Sequence, residues 1–247
     1  MAWLKLWCLI MASVTLAGCG GASANGGSAS GSATTASYDF VVPPVNSQRV
    51  YGRTMVDNFS NTTTNSFTET VVAANADGTF QVLREDPDND SFILHGIDYA
   101  SPSETLTNNS SGQTLSYLVN GIQITCTYSP HGGGPTYPVS IGVSWSIAYT
   151  NSCDEITQPT YAYQQTGSVI DVESVTVPAG TFSALKLQST VVWTDSQGMI
   201  HNQAITNWRD TATGVSVMQA YAYTYGGRLS SNAYPVSETI VLQSGAP

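Results

Sequence analysis

From Ala184 to Thr194 the chain alternates strictly, with Leu185, Leu187, Ser189, Val191 and Trp193 on one parity and Lys186, Gln188 and Thr190 on the other. Successive side chains of a strand point to opposite faces, so this run predicts a strand with its Leu/Val/Trp face inward. Similar runs recur at 49–57, 66–74, 79–85, 92–99, 115–119, 122–128, 137–150, 161–166, 168–177, 201–208, 214–225 and 236–242. Turn chemistry separates them. Asn75-Ala76-Asp77-Gly78, Asn120-Gly121 and Asp195-Ser196-Gln197-Gly198 read as hairpin turns, because Asn and Gly accept the positive φ of tight turns. Pro178-Ala179-Gly180-Thr181 reads as the turn of a hairpin spanning 175–187. No segment carries a sustained helical period. The pattern predicts an all-β chain: a curved antiparallel meander, half-barrel or barrel-like, in a single domain of about twelve strands.

The first residues follow another rule. Leu6–Ala17 is nearly all apolar after a short start bearing Lys5. It is too short to span a bilayer core, which needs about 20 apolar residues. A basic start, a short apolar run and small residues at its end describe a secretory signal segment. Leu16-Ala17-Gly18-Cys19 resembles the bacterial lipobox. The resemblance implies cleavage before Cys19, a lipid on its sulfur, and, with Gly20 following, retention in the outer membrane. Residues 20–37, GGASANGGSASGSATTAS, have no charge and no aromatic ring. Such a segment reads as a flexible tether with a span of roughly 25 Å. The organisation expected is therefore 1–18 signal peptide, 19–37 tether and 38–247 folded domain, with a candidate subdivision near 130–137, where His131-Gly132-Gly133-Gly134-Pro135 interrupts the strand pattern.

Charge narrows the function. All 17 acidic residues lie after Cys19, against six cations: Arg49, Arg53, Arg84, Lys186, Arg209 and Arg228. The mature net charge of −11 repels nucleic acid, which is excluded as a partner. Two cysteines follow the tether. In an oxidising compartment Cys126 and Cys153 read as a disulfide; a metal site with His131 would lack a fourth clear ligand.

The remaining chemical signals are weak. The glycine loop after His131 has the composition of an esterase oxyanion loop, but no G-x-S-x-G elbow accompanies it, which leaves a flexible glycine loop. Asp86-Pro87-Asp88-Asn89-Asp90 has alternating oxygens, yet Ser91 and Ile97 stand where a calcium loop needs Gly and Glu. His95, His131 and His201 have no ligand-spaced neighbours. No metal and no cofactor is expected. Tyr221, Tyr223 and Tyr225 share one strand face, as do Tyr161 and Tyr163; with Trp193 the first three form a candidate ligand face.

Pro138–Leu242 carries a second resemblance. Trp145, Val177-Pro178-Ala179-Gly180-Thr181-Phe182, Trp193, Trp208, Gly214 and Glu238-Thr239 occur in an order similar to uncharacterised bacterial envelope lipoproteins. In them the V-P-A-G-T-F segment lies between two strands of an open half-barrel. The resemblance implies that fold and, by analogy with lipoprotein carriers, an apolar groove. The expectation is a non-enzymatic envelope lipoprotein, held on the membrane by its lipid, that binds an apolar small molecule or a protein partner; the alternative is an envelope hydrolase with an unrecognised site. Cys19→Ala is expected to abolish both processing before residue 19 and incorporation of labelled fatty acid; a variant that still takes up the label refutes the anchor.

Overall fold

The computed structural model describes residues 36–86, 92–94, 97–99, 103–154, 160–196, 198–226 and 234–247. The leader, Cys19 and most of the tether lie outside them. The strands are β1 (Gln48–Asp57), β2 (Thr62–Ala74), β3 (Phe80–Glu85), β4 (Phe92–Leu94), β5 (Ile97–Tyr99), β6 (Ser103–Asn108), β7 (Thr114–Val119), β8 (Ile124–Ser129), β9 (Ser144–Cys153), β10 (Tyr161–Val177), β11 (Gly180–Thr194), β12 (Ile200–Asp210), β13 (Ser216–Gly226) and β14 (Pro235–Ser244). All but β4 and β5 form one closed barrel, in the order β1-β14-β13-β12-β11-β10-β9-β8-β7-β6-β3-β2 and back to β1. Of the forms expected, the closed barrel is the one adopted. β1 seals it by pairing with β14 on one side and β2 on the other, so no unpaired edge remains in the wall.

The β10–β11 hairpin behaves as its alternation requires. Val177 pairs Gly180 across the turn, and Leu185, Leu187 and Val191 are buried while Gln188 faces solvent. The two runs expected at 161–166 and 168–177 join into one strand, with a register shift at Ile170. The turn of this hairpin reaches β14, where the Ala179 N–H donates to the Leu242 carbonyl. Its Val175, Val177 and Ala184 pack with Tyr51, Phe67, Val217 and Leu242.

Three local expectations change. The single run at 92–99 is two short strands, β4 and β5, paired with each other outside the barrel. β6 escaped the pattern because its inward parity is Glu104, Leu106 and Asn108, with one apolar residue among three. The Asn120-Gly121 connection is a four-residue turn, not a two-residue one: Val119 pairs Ile124, and Gln123 takes the positive φ of 57°.

The segment after the disulfide's first cysteine is ordered, not a flexible loop. Residues 137–143 are irregular, and β9 starts only at Ser144. Gly132 N–H donates to the Thr114 carbonyl and Gly134 N–H to Gln165 Oε1, while Gln113 Nε2 holds the carbonyls of Gly134 and Pro135. Gly133 has φ of 78° and lies so close to Gln165 that a β-carbon would collide with it, so only glycine fits. The N-terminal strap crosses the same end of the barrel. Tyr38 bridges Val139, Val41 N–H reaches the Thr213 carbonyl, and Asn46 N–H reaches the Val71 carbonyl. Phe40 stacks on Phe80 at 5.8 Å and tilts against Tyr137 at 6.0 Å. Twelve strands make a barrel wider than the eight whose side chains just fill an interior, and these two segments close the surplus at one end.

Cys126 and Cys153 are bonded, as expected, with Cα atoms 3.9 Å apart on directly opposed positions of β8 and β9. The bond spans the plugging segment, 27 residues along the chain. Closing a loop of that length stabilises a fold by about 3.5 kcal/mol in the chain-entropy model. The Cys126→Ser/Cys153→Ser double variant should therefore lose about that much in a denaturant titration. An unchanged midpoint and slope would show that strand pairing alone fixes this connection.

Candidate functional site

The interior wall is polar where a small barrel would be greasy. Arg49, Arg53, Glu69, Arg84, Arg209, Gln203, Gln219 and Glu238 line a cavity of about 450 Å³, together with Tyr51, Tyr221 and Tyr223. The outward parity of the central strands is mostly uncharged and polar, as in Gln164, Thr166, Gln188, Thr190 and Asn202, not the apolar band of a membrane-spanning barrel. Of the six cations that follow Cys19, four point into the lumen. Lys186 lies outside, 3.4 Å from Glu173 and above the Trp208 ring, and Arg228 is outside the described residues.

Register explains how the charges coexist. Arg49 pairs Glu69, Glu69 pairs Arg84, and Arg84 pairs Glu104, so four adjacent strands carry a transverse ladder of alternating sign. Directly opposed opposite charges stabilise a sheet, whereas like charges would push its strands apart. Arg84 is the centre of the ladder. Its Nη2 lies 2.8 Å from Glu69 Oε1 and its Nη1 2.7 Å from Glu104 Oε1. Burial alone would lower its pKa, but Glu69 and Glu104 more than reverse that and hold it above the usual value. One step along β1, Arg53 donates to Asn65 Oδ1 and to Asp86. The first carboxylate of the Asp86–Asp90 run is thus held by an arginine; residues 87–91 lie outside the described set.

The candidate ligand face splits in two. Tyr221 and Tyr223 stand on the cavity wall, the first donating to Gln219 and the second to Glu238 Oε2 at 2.7 Å. Burial, and then Glu238, pushes both phenols well above their usual pKa, so both stay protonated donors. Trp193 and Tyr225 belong instead to an arc of rings that follows cross-strand pairs around the wall. It runs through Tyr117, Tyr128, Tyr149, Tyr163, Trp193, His201, Tyr225 and Tyr234, with neighbouring centroids between 4.7 and 5.9 Å. Tyr149 and Tyr163 stack at 5° and Trp193 and His201 at 10°, so these faces cover one another. Their packing stabilises the wall and leaves little face for a ligand. Tyr161, the other member of the paired tyrosines, is buried.

The histidines do not converge. His201 is held by Asp195 at 2.9 Å inside the ring arc, His131 sits in the plug where burial lowers its pKa, and His95 is outside the described residues. The glycine loop offers no oxyanion cradle, because the amides of Gly132, Gly133 and Gly134 already donate within the protein. Among the described residues, no group of three metal-ligating side chains lies together.

Sequence reading missed the arginine lining, although one signal was present: Arg49, Tyr51 and Arg53 share a parity in β1, so a core-facing Tyr51 takes both guanidinium groups inward with it. Glu69, Arg84 and Glu104 gave no comparable signal, because their alignment depends on register across strands.

The tyrosines of the arc give the protein an alkaline limit. Burial, then neighbouring Tyr161, raises Tyr163 to about 12; burial, then Tyr234, raises Tyr225 to about 12. A folded pKa above the unfolded value near 10 means that their contribution is complete below about pH 10 and is lost as pH rises towards about 12. Denaturant midpoints are expected to stay level with respect to these groups up to about pH 10 and to fall above it. Tyrosinate absorbance rising with an ordinary midpoint in the still-folded protein would contradict this.

No known protein family matches the chain, and no curated protein sequence matches it. Solved structures resemble its fold, three of them as follows. One is a predicted lipoprotein of Parabacteroides distasonis ATCC 8503, 13% identical over 85% of this chain and 99% of that one, with a TM-score of 0.44. Another is the hypothetical lipoprotein YmcC of Escherichia coli K12, 14% identical over 82% and 90%, with a TM-score of 0.43. The third is a predicted exported protein of Bacteroides fragilis NCTC 9343 with a YmcC-like fold, 12% identical over 86% and 100%, with a TM-score of 0.39.

Proposed function

We propose that this chain is a non-enzymatic lipoprotein of the bacterial envelope, anchored through Cys19 in the outer membrane, whose barrel lumen is a binding compartment for a small polar molecule. The observation that carries this reading is the cavity of about 450 Å³, whose wall sets arginines, carboxylates and tyrosine hydroxyls beside Phe40, Phe67, Phe80, Val82, Leu106 and Ile240. A pocket of that size suits a sugar-sized ligand, and its lining decides what dissolves in it. The sequence alone favoured an apolar occupant. An acyl chain here would strip water from Arg49, Arg53, Arg84, Arg209, Glu69 and Glu238 without replacing its hydrogen bonds, which opposes entry.

The non-enzymatic class is supported by how the lumen carboxylates are engaged. Glu69 and Glu104 bind Arg84, Asp86 binds Arg53, and Glu238 accepts the Tyr223 hydroxyl. A general acid or base must be within reach of the proton it moves, and these carboxylates are already engaged by donors of the wall.

The test uses the ¹⁵N-labelled domain beginning after the tether. The side-chain amides of Gln203 and Gln219 report from the cavity wall, and Gln188 reports from the outer face. Saturable shifts of the first two with a monosaccharide, without movement of Gln188, are expected. A fluorescent fatty-acid probe should show no saturable binding. Saturable acyl binding that displaces the sugar signal would restore the apolar reading and overturn this one.

A further inference from the structure

The four lumen arginines are not equivalent, and the difference identifies what the compartment is built to hold. Arg84 has two carboxylate partners and Arg53 has Asp86 and Asn65. Arg49 has Glu69 at only 3.6 Å, and its Nε has no partner although the residue is 3% exposed. Arg209 has no carboxylate within ion-pair distance among the described residues. Its contacts are the Gly214 carbonyl at 3.3 Å and the Tyr137 ring at 5.9 Å, and its buried Nε is also unpartnered. A buried N–H donor without an acceptor is costly, because its desolvation is not offset by a hydrogen bond. Arg49, with one long ion pair, and the half-buried Arg209, with none, each carry such a donor on one cavity, and they mark a place where a negative group completes the pairing.

The surroundings agree. Arg209, Gln219 and Tyr221 line both the arginine-walled cavity and a smaller one of about 200 Å³ beside the glycine loop, so Arg209 stands where the two compartments meet. The charges of Arg84, Arg209 and Glu69 reach both the Tyr51 and the Tyr221 hydroxyls, and that of Arg49 reaches Tyr51 as well, which places these groups around one central space. Gln219 is anchored by donating from Nε2 to Ser216 Oγ, and Ser216 by donating to Asn207 Oδ1. The lumen carboxylates are each held by a donor elsewhere: Glu69 and Glu104 by Arg84, Asp86 by Arg53, and Glu238 by Tyr223. None of those contacts satisfies Arg209.

The geometry points to an oxyanion site in the lumen, in which the guanidinium groups of Arg209 and Arg49 bind the carboxylate or phosphate of a small anionic ligand. Arginine suits the role because its planar fork donates in parallel to two oxygens of such a group. The rest of the ligand would occupy the space lined by Tyr51, Tyr221 and Gln219. This rests on the lumen being a binding compartment and narrows that reading to one chemical class.

The experiment follows the side-chain Nε–H resonances of Arg49, Arg84 and Arg209 while inorganic phosphate or acetate is titrated at constant ionic strength. Saturable shifts of Arg49 and Arg209, with Arg84 unmoved, are expected. Phosphate and acetate run as separate arms, and the one with the lower half-saturation names the group. Arg209→Gln keeps the hydrogen-bonding amide but removes the charge, and should raise half-saturation about tenfold, the scale for one charge-assisted hydrogen bond. Arg209→Lys should fall between the two, and the titration of the unaltered protein stands even if the glutamine variant does not fold. Shifts that stay linear, or that survive unchanged in Arg209→Gln, overturn the oxyanion site. If a monosaccharide still shifts Gln203 and Gln219 while neither anion does, the polar compartment stands and its anion specificity falls; if neither does, both fall.

Discussion

The width of a closed twelve-stranded sheet governs the rest of this molecule. Side chains just fill the interior of a barrel of about eight strands, and twelve leave space over. The buried residues form four clusters, one of which gathers side chains from β1, β2, β10, β11, β13 and β14. Two irregular segments make up part of the deficit. The strap from Tyr38 to Ser47 and the disulfide-bounded segment from Pro130 to Val143 cap one end, held by Gln113, Gln165 and the aromatic contacts of Phe40. The deficit that remains is the cavity.

A wide lumen admits polar side chains, and the wall orders them by register. The ladder from Arg49 through Glu69 and Arg84 to Glu104 and the arc of rings from Tyr117 to Tyr234 both run across strands, not along them. The ladder is a chain of directly opposed pairs, as is the arc from Tyr149 to Tyr225, while Tyr117 and Tyr128 join the arc diagonally; each ties many strands together with interactions that no single strand contains. One consequence is electrostatic. The four inward cations stand against four lumen carboxylates, Glu69, Asp86, Glu104 and Glu238, so these charges balance inside and the acidic excess belongs to the rest of the chain.

The same arrangement distinguishes the lumen arginines by their pairing. Arg84 and Arg53 are closely matched by carboxylates, whereas Arg49 has one long ion pair and Arg209 none among the described residues, and both keep an unpartnered Nε. The tyrosines divide in the same way. Those of the arc cover one another's faces, while Tyr51 and Tyr221 stand among the charged groups of the lumen.

The sequence by itself determined the local events. Period-two alternation from Leu185 to Trp193 determined which face of β11 turns inward, Pro178-Ala179-Gly180 determined where the hairpin reverses, and two cysteines after the tether determined the disulfide. These depend on neighbours within a few residues or on a choice with only one solution. Closure of the sheet, the four-residue turn after Val119 and the path of the plug were decided by tertiary structure, because each depends on partners far along the chain, as when β1 meets β14. The charged lumen was decided there too. Parity could have turned Arg49 and Arg53 inward with Tyr51, but only the register of four strands sets Glu69 beside Arg84, and only closure brings Arg209 to the same cavity. A period-two pattern states which way a side chain points; it carries no information about what stands opposite.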